Sequence, residues 1–325
     1  MLRREFMMVV AGGVAELPRR TFAQQARKWR IGFLHPGQSA TVANRMAAFR
    51  EGLTASGAGE AADAELVVRI ANQQFDQLPA MATELVGQNV QAICAVAPSA
   101  VFAAREASRS IPIIAMDLES DPVANGWAAS LAHPGGNITG IFMDLPDFSA
   151  KSLQLLREAV PNATKIAGLW HPASGSLQLK AAQSAAAALG VEFEVFEVSR
   201  VADFDSVFRA MAQSHVAGVL MLSSPIFAGN PGLLGDIAIR HRLPAINNFP
   251  DFAQNGGLIG YGPDLQSLFT QAGVLTRKVM EGSAIANLPV ERPTRFKLVT
   301  NLKTAHAIGV TMPTSILLLA DEVIE

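Results

Sequence analysis

Short apolar runs that end at a proline recur along this chain. The runs Ile31-Gly-Phe-Leu-His-Pro36 and Ala167-Gly-Leu-Trp-His-Pro172 are close copies, and small polar residues follow each of them. An apolar strand that stops at a proline and leads into a helix is typical of the βα unit of a parallel sheet. Because the unit occurs twice, the pattern predicts two lobes of one design.

A second pair of runs supports this duplication. Ala92–Ala97 leads into Pro98 and Ser99, and Ala217–Leu222 leads into a Ser-Ser-Pro turn. Each is followed by a helical window and then by a strand that starts at a proline, so both halves share one order of elements. Two such lobes enclose a cleft, which is where small ligands bind.

The spacing of apolar residues predicts alternating strands and helices, and hence an α/β fold with parallel sheets. A helix is predicted from about Thr41 to Ser56, with Val42, Met46, Phe49 and Leu53 on its inner face, and another over Leu265–Met280 that packs back on the first lobe. The first lobe is predicted to hold four strands, and Val191–Val195 alternates like an exposed edge strand. Three hinge crossings are expected, at Gly135–Gly140, at Gly256–Asp264 and near Pro289. They assign 29–138 plus 262–288 to the N-terminal lobe and 139–261 plus 289–325 to the C-terminal lobe.

Composition narrows the class of protein. Half of the 325 residues are hydrophobic, the net charge is −2, and basic residues form no cluster that would hold nucleic acid. The single Cys94 lies in an apolar strand and is expected to be a buried small side chain. Residues 1–23 are predicted to be an export signal, either twin-arginine-like or general secretory, because Arg3-Arg4 precedes an apolar run and Thr21-Phe-Ala23 offers a cleavage site.

Several motifs make the chain resemble a known family. They are Ser120-Asp-Pro-Val123, Leu131-Ala-His-Pro-Gly-Gly-Asn-Ile-Thr-Gly140, Gly257-Leu-Ile-Gly-Tyr-Gly-Pro-Asp264 and Asn301-Leu-Lys-Thr-Ala305. Together with the Arg3-Arg-Glu-Phe6 start, Gln24-Gln25 and the Ala320-Asp-Glu-Val-Ile324 tail, these stretches are spread over almost the whole chain. In them the chain resembles the periplasmic substrate-binding proteins of ABC transporters, in the branch related to tryptophan and other amino-acid uptake. The resemblance implies a type I periplasmic binding protein fold, a periplasmic monomer, an inner-membrane ABC permease as partner, and capture of a small ligand without any cofactor. A ligand sensor that signals to a membrane receptor is the alternative function.

The predicted ligand contacts lie where strands lead into helices. Free N–H groups at a helix start favour a carboxylate, which points to Ser99 and Ala100 in one lobe and to Ser174 and Ser176 in the other. Each serine can equally be an ordinary N-cap. The set is completed by residues that follow other strands or stand at a crossing: Ser223, Asn248, Asp121 and Asp264.

Asp121 and Asp264 are the predicted acceptors for the ammonium group of an amino acid. Each can instead cap the helix that follows it, at Pro122 and Leu265 respectively. Enzyme activity is not expected, because the chain lacks a Gly-rich dinucleotide turn, a Gly-x-Ser-x-Gly motif and any His pair at metal-ligand spacing.

Overall fold

The computed structural model describes residues 29–55 and 64–325, so the predicted export signal lies outside the described residues. The strands are β1 Arg30–His35, β2 Glu65–Ile70, β3 Ala92–Val96, β4 Ile113–Asp117, β5 Ile138–Phe142, β6 Lys165–Trp170, β7 Glu192–Glu197, β8 Gly218–Met221, β9 Ala245–Asn247, β10 Ile259–Pro263, β11 Phe296–Asn301 and β12 Glu322–Ile324. The helices are α1 Ser39–Thr54, α2 Leu78–Gly87, α3 Ala97–Ala107, α4 Leu145–Ala159, α5 Leu177–Ala188, α6 Phe204–Gln213, α7 Pro225–Ala228, α8 Pro231–Arg240, α9 Asp251–Gln254, α10 Leu265–Met280, α11 Leu302–Ile308 and α12 Thr314–Leu319.

The first lobe is built on a parallel sheet of five strands in the order β2-β1-β3-β4-β5. The sequence predicted only four, because the Gly135–Gly140 stretch was interpreted as the exit from this lobe. Instead β5 begins inside that stretch and pairs with β4 in register from Ile138 opposite Ile113 to Phe142 opposite Asp117. Gly140 permits this pairing, since a Cβ there would lie 1.9 Å from the Ala115 carbonyl oxygen.

The second lobe carries a sheet of seven strands in the order β12-β11-β10-β9-β8-β6-β7. All neighbours run parallel except β10 and β11, which are antiparallel. As predicted from its alternating pattern, β7 is an edge strand. The glycine-rich stretch that was assigned to the second crossing forms β10 itself, which then leads directly into α10.

The chain therefore crosses between the lobes three times, after Phe142, after Pro263 and before Phe296. The first crossing was predicted at residue 138 and lies after residue 142, because the buried strand Ile138–Phe142 completes the first sheet. The segment 139–261 was predicted to end at residue 261, but β10 stays in the second sheet up to residue 263, two residues further. The assignment of whole segments to lobes stays a prediction.

Helices cover both faces of each sheet, and four apolar clusters fill the layers between them. The predicted inner face of α1 is confirmed, since Val42, Phe49 and Leu53 are buried. As predicted, α10 returns to the first lobe, where Phe269 packs in one cluster with Phe49. Cys94 is buried in the same cluster, and this burial raises the pKa of its thiol. Within the described ranges, no helix is long and apolar enough to cross a membrane.

Candidate functional site

A cavity of about 680 Å³ lies between the two lobes. From the first lobe it is lined by Phe75, Leu78, Pro79, Pro98, Ser99, Phe102, Ala103, Arg105, Glu119, Ser120, Asp121, Ala124, Asn125 and Trp127. From the second lobe it is lined by Pro172, Ala173, Ser174, Gly175, Ser176 and Leu177. Its size is in the range of sites for small ligands.

Helix α3 begins at one wall of this cavity, directly after β3. Val96 occupies the N-cap position, and no side chain in the described part of the molecule caps the helix. Pro98 has no N–H, and the N–H of Ala100 is the first that can reach back four residues to a helical carbonyl. The free donors of this helix start are therefore those of Ala97 and Ser99.

The turn into α3 is strained at Ala97, whose φ is +66°. A left-handed conformation costs a residue with a Cβ roughly 1–2 kcal/mol, and a following proline disfavours the α region further. Ala97→Gly is therefore expected to stabilise the protein by about 0.5–1 kcal/mol, part of the relief being offset by the greater entropy of glycine in the unfolded chain. Thermal unfolding of both proteins checks this, and an unchanged or lower melting temperature would contradict it.

Helix α5 begins at the opposite wall. Ser176 stands at its N-cap position but makes no cap hydrogen bond through its side chain. A 3-10 turn at Pro172–Ser174 precedes it and buries Ser174, whose Oγ has no hydrogen-bond partner among the described residues. Two helix N-termini from opposite lobes thus face one cavity, each with free backbone donors.

The acidic wall of the cavity follows β4. Glu119 is only 6% exposed, and its Oε1 accepts a hydrogen bond of 2.5 Å from the Ser223 hydroxyl of the second lobe. The backbone N–H of Ser223 donates in turn to Gln178 Oε1 at 2.7 Å. These bonds fix a direct contact between the two lobes at the floor of the cleft.

Asp117, the last residue of β4, lies behind Glu119. Its Oδ1 accepts from the Glu119 backbone N–H at 3.0 Å, whereas Oδ2 has no hydrogen-bond partner in the described ranges. Burial, together with the charge of Asp117, raises the pKa of Glu119, and burial raises the pKa of Asp117. At this place the ionised form of both carboxyl groups is therefore disfavoured.

Two further contacts join the lobes at the edges of the cleft. The Phe75 and His171 rings lie 5.1 Å apart between their centroids. Arg45, on α1, donates from Nη2 to the carbonyl of Ala228 at 3.0 Å. The described structure therefore has its lobes in contact around the cavity.

The family model for ABC transporter substrate-binding proteins matches residues 34–324, which is nearly the whole chain. The chain belongs to this family. Members of the family bind a solute and do not catalyse a reaction, in agreement with the prediction from the missing catalytic motifs.

Individual relatives agree with the family. The chain is 26% identical over 233 residues to a tyrosine-binding protein of Clostridioides difficile (strain R20291), a match that covers 70% of this chain and 66% of the relative, just under two thirds of its length. Among solved structures, it is similar to a conserved domain protein from Vibrio cholerae (TM-score 0.83, 21% identity) and to an ABC domain in complex with L-Trp from Streptococcus pneumoniae (TM-score 0.82, 22% identity). Both comparisons cover 91% of this chain and 100% of the other. They confirm the two-lobe fold of type I periplasmic binding proteins.

Within this binding-protein fold, four of the eight predicted ligand contacts line the cavity, namely Ser99, Asp121, Ser174 and Ser176. Asp121 is also a cap, since its Oδ1 accepts from the N–H groups of Val123 and Ala124. Both interpretations of Asp121 are therefore compatible with its position.

The other four predicted contacts lie outside the lining of this cavity. Ala100 is fully buried against the sheet because its Cβ lies on the inner face of α3. Ser223 is buried beneath the cavity and holds Glu119, and Asn248 is buried with its Nδ2 unpartnered among the described residues. Asp264 caps α10, where it accepts from the N–H groups of Gln266 and Ser267, because β10 brings it to that helix start.

The acidic pair and the apolar lining were not predicted from the sequence. Asp117 and Glu119 alternate directly after an apolar strand, a signal that was available but was passed over in favour of Asp121. Phe75, Phe102 and Trp127 come from separate loops and helices, and only the folded chain brings them to one cavity.

Proposed function

We propose that the chain is the extracytoplasmic solute-binding component of an ABC importer and that it captures an amino acid, or a related small carboxylate, between its lobes. The observation that carries this proposal is the pair of helix starts, α3 and α5, that face the same cavity from opposite lobes without side-chain caps among the described residues. The family match supports the importer as partner.

The carboxylate of the ligand belongs at the helix starts. The free N–H groups and the positive end of the helix dipole both favour an anion there. Ser99 and Ser176 stand at these two starts, and the buried Ser174 hydroxyl has no partner in the described part of the chain. A carboxylate between them would satisfy donors of both lobes at once and so favour the closed arrangement.

The ammonium group belongs at the acidic wall, formed by Glu119 and Asp121. Glu119 takes over the role that the sequence suggested for Asp264, because Glu119 faces the cavity and Asp264 does not line it.

An apolar side chain of the ligand has its own surface. Phe75, Phe102, Trp127 and Leu177 line the same cavity, and Phe102 is 58% exposed. Aromatic rings of this kind favour a flat apolar group. The tyrosine-binding relative and the L-Trp complex of a structural neighbour agree with an aromatic amino acid.

A thermal-shift and calorimetry panel tests this function on the chain that starts at Gln24. We expect L-tryptophan, L-tyrosine or L-phenylalanine to raise the melting temperature, since a ligand at 100 times its dissociation constant adds about 2.7 kcal/mol to stability. Tryptamine lacks the carboxylate and indole-3-propionate lacks the ammonium, so each should bind at least about tenfold more weakly than L-tryptophan, a loss of one charge-assisted contact. Stabilisation by sugars or purines and by no amino acid would overturn the proposed ligand class.

A further inference from the structure

We propose that Asp117 and Glu119 hold one shared proton in the empty protein, and that the cationic amino group of the ligand expels this proton when it binds. The inference rests on the proposed function, because it takes the ligand to be an amine. It adds that capture is linked to proton release and hence to the pH around the protein.

Both carboxyl groups lie almost out of contact with water. Asp117 is 0% exposed and Glu119 is 6% exposed, and the backbone N–H of Glu119 donates to Asp117 Oδ1. The charge of Asp117 also acts on the carboxyl group of Glu119. Two ionised carboxylates that interact out of water repel each other, so one of them keeps its proton unless a cation is present.

Within residues 29–55 and 64–325, no cation is paired with the two carboxyl groups. Among the described residues, neither carboxyl takes part in a salt bridge. Arg105 lines the same cavity, but its Nη2 donates to the Gly126 carbonyl at 3.1 Å. The other titratable groups around the cleft are Asp121, which adds negative charge, and His171, whose pKa is lowered by burial.

Glu119 can be reached by a ligand in the cavity. Glu119 lines the cavity, and its Oε1 is already occupied by the Ser223 hydroxyl of the other lobe. A ligand amine can therefore reach the carboxyl group of Glu119 only where the two lobes meet. Behind Glu119 lies Asp117 Oδ2, which is buried and has no hydrogen-bond partner in the described ranges, so its negative charge is not compensated there.

The proton balance is simple. The ligand keeps its three ammonium protons, the O–H bond of the shared carboxyl proton breaks, and solvent buffer takes up that proton. The raised pKa of both groups agrees with a proton that is present near neutral pH and leaves when a positive charge arrives. Affinity should then rise with pH, by up to about tenfold per pH unit between pH 6 and pH 8.

Isothermal titration calorimetry with L-tryptophan, repeated at pH 7 in phosphate and in Tris, measures the released proton. We expect the binding enthalpy to differ between the two buffers in the direction of proton release. Asp117→Asn removes the repelling charge but leaves Glu119 buried, so it should reduce the buffer dependence and move the pH dependence of binding to lower pH. Asp236→Asn changes an exposed aspartate on α8 and serves as the matched control, which should behave like the parent protein.

A second readout needs no ligand. Because burial disfavours the ionised pair, the empty protein should lose stability as pH rises above the ordinary range of carboxyl groups, and Glu119→Gln should reduce this loss to the share of the buried Asp117. Tryptophan binding with equal enthalpy in both buffers, or proton release that is undiminished in Asp117→Asn, overturns the inference and leaves the proposed function standing. Absence of binding by any amino acid overturns both.

Discussion

Replacing Gly273 by alanine should destabilise the protein by about 3 kcal/mol or more and lower its melting temperature by about 5 °C or more. Helices α1 and α10 touch backbone to backbone: a Cβ on Gly273 would lie 2.1 Å from the Phe49 carbonyl oxygen, and one on Gly52 would lie 1.9 Å from that of Thr270. Neither obstacle is a flexible side chain. The helices would have to separate, and the cluster around Phe269 would lose contacts.

Gly87→Ala is the matched control. Gly87 also lies in a helix, as the last residue of α2, but no atom of the described residues lies within 4 Å of an added Cβ there. There alanine should be neutral or should stabilise by about 0.5 kcal/mol, because glycine loses more chain entropy on folding. Differential scanning calorimetry of both variants checks the pair, and similar melting temperatures for the two would refute the backbone contact.

Ser99→Trp should weaken binding of L-tryptophan about a hundredfold, close to 2.7 kcal/mol. Ser99 stands at the start of α3 on the cavity wall, so an indole at this position occupies the space between the two helix starts. The fold should survive, since the side chain of Ser99 points to an open cavity and not into the packed core.

Two companions separate the causes of this loss. Ser99→Ala removes only the hydroxyl and should change affinity less than about threefold, because backbone N–H groups hold the carboxylate in our proposal. Ser283→Trp places the same bulk on an exposed serine after α10 that does not line the cavity, so this variant should bind L-tryptophan as the parent protein does. Calorimetric titration of all three variants measures the effect; full affinity in Ser99→Trp would place the ligand elsewhere.

The hydrophobic pattern was sufficient for most of the architecture. The duplicated runs that end at His35-Pro36 and His171-Pro172 predicted two βα openings, and β1 and β6 lie there with almost fully buried residues. Such runs are decisive because a parallel strand is covered on both faces and must be apolar throughout. The predicted bounds of α10, Leu265–Met280, are confirmed: Asp264 caps the start of the helix, and the apolar spacing continues to Met280.

Sheet membership was harder to predict. Glycine-rich stretches at Gly135–Gly140 and Gly256–Asp264 looked like hinges, yet each contributes a strand, β5 and β10. Glycine signals both a turn and a close approach of backbones. Position 140 requires glycine because the carbonyl of Ala115 leaves no room for a Cβ, and Ala115 lies on another strand.

For the binding site, too, some features were predicted from the sequence and others depend on the tertiary structure. The sequence by itself determined the fold class, the two helix starts and the family, because periodicity, prolines and short motifs are local properties of the chain. Only the tertiary structure decided which polar groups share a cavity: it assigned Asp264 to a helix cap and set Glu119 against Ser223 of the other lobe. Burial, charge and distance between residues far apart in the chain arise only when the lobes pack, and they determine what a carboxyl group can bind.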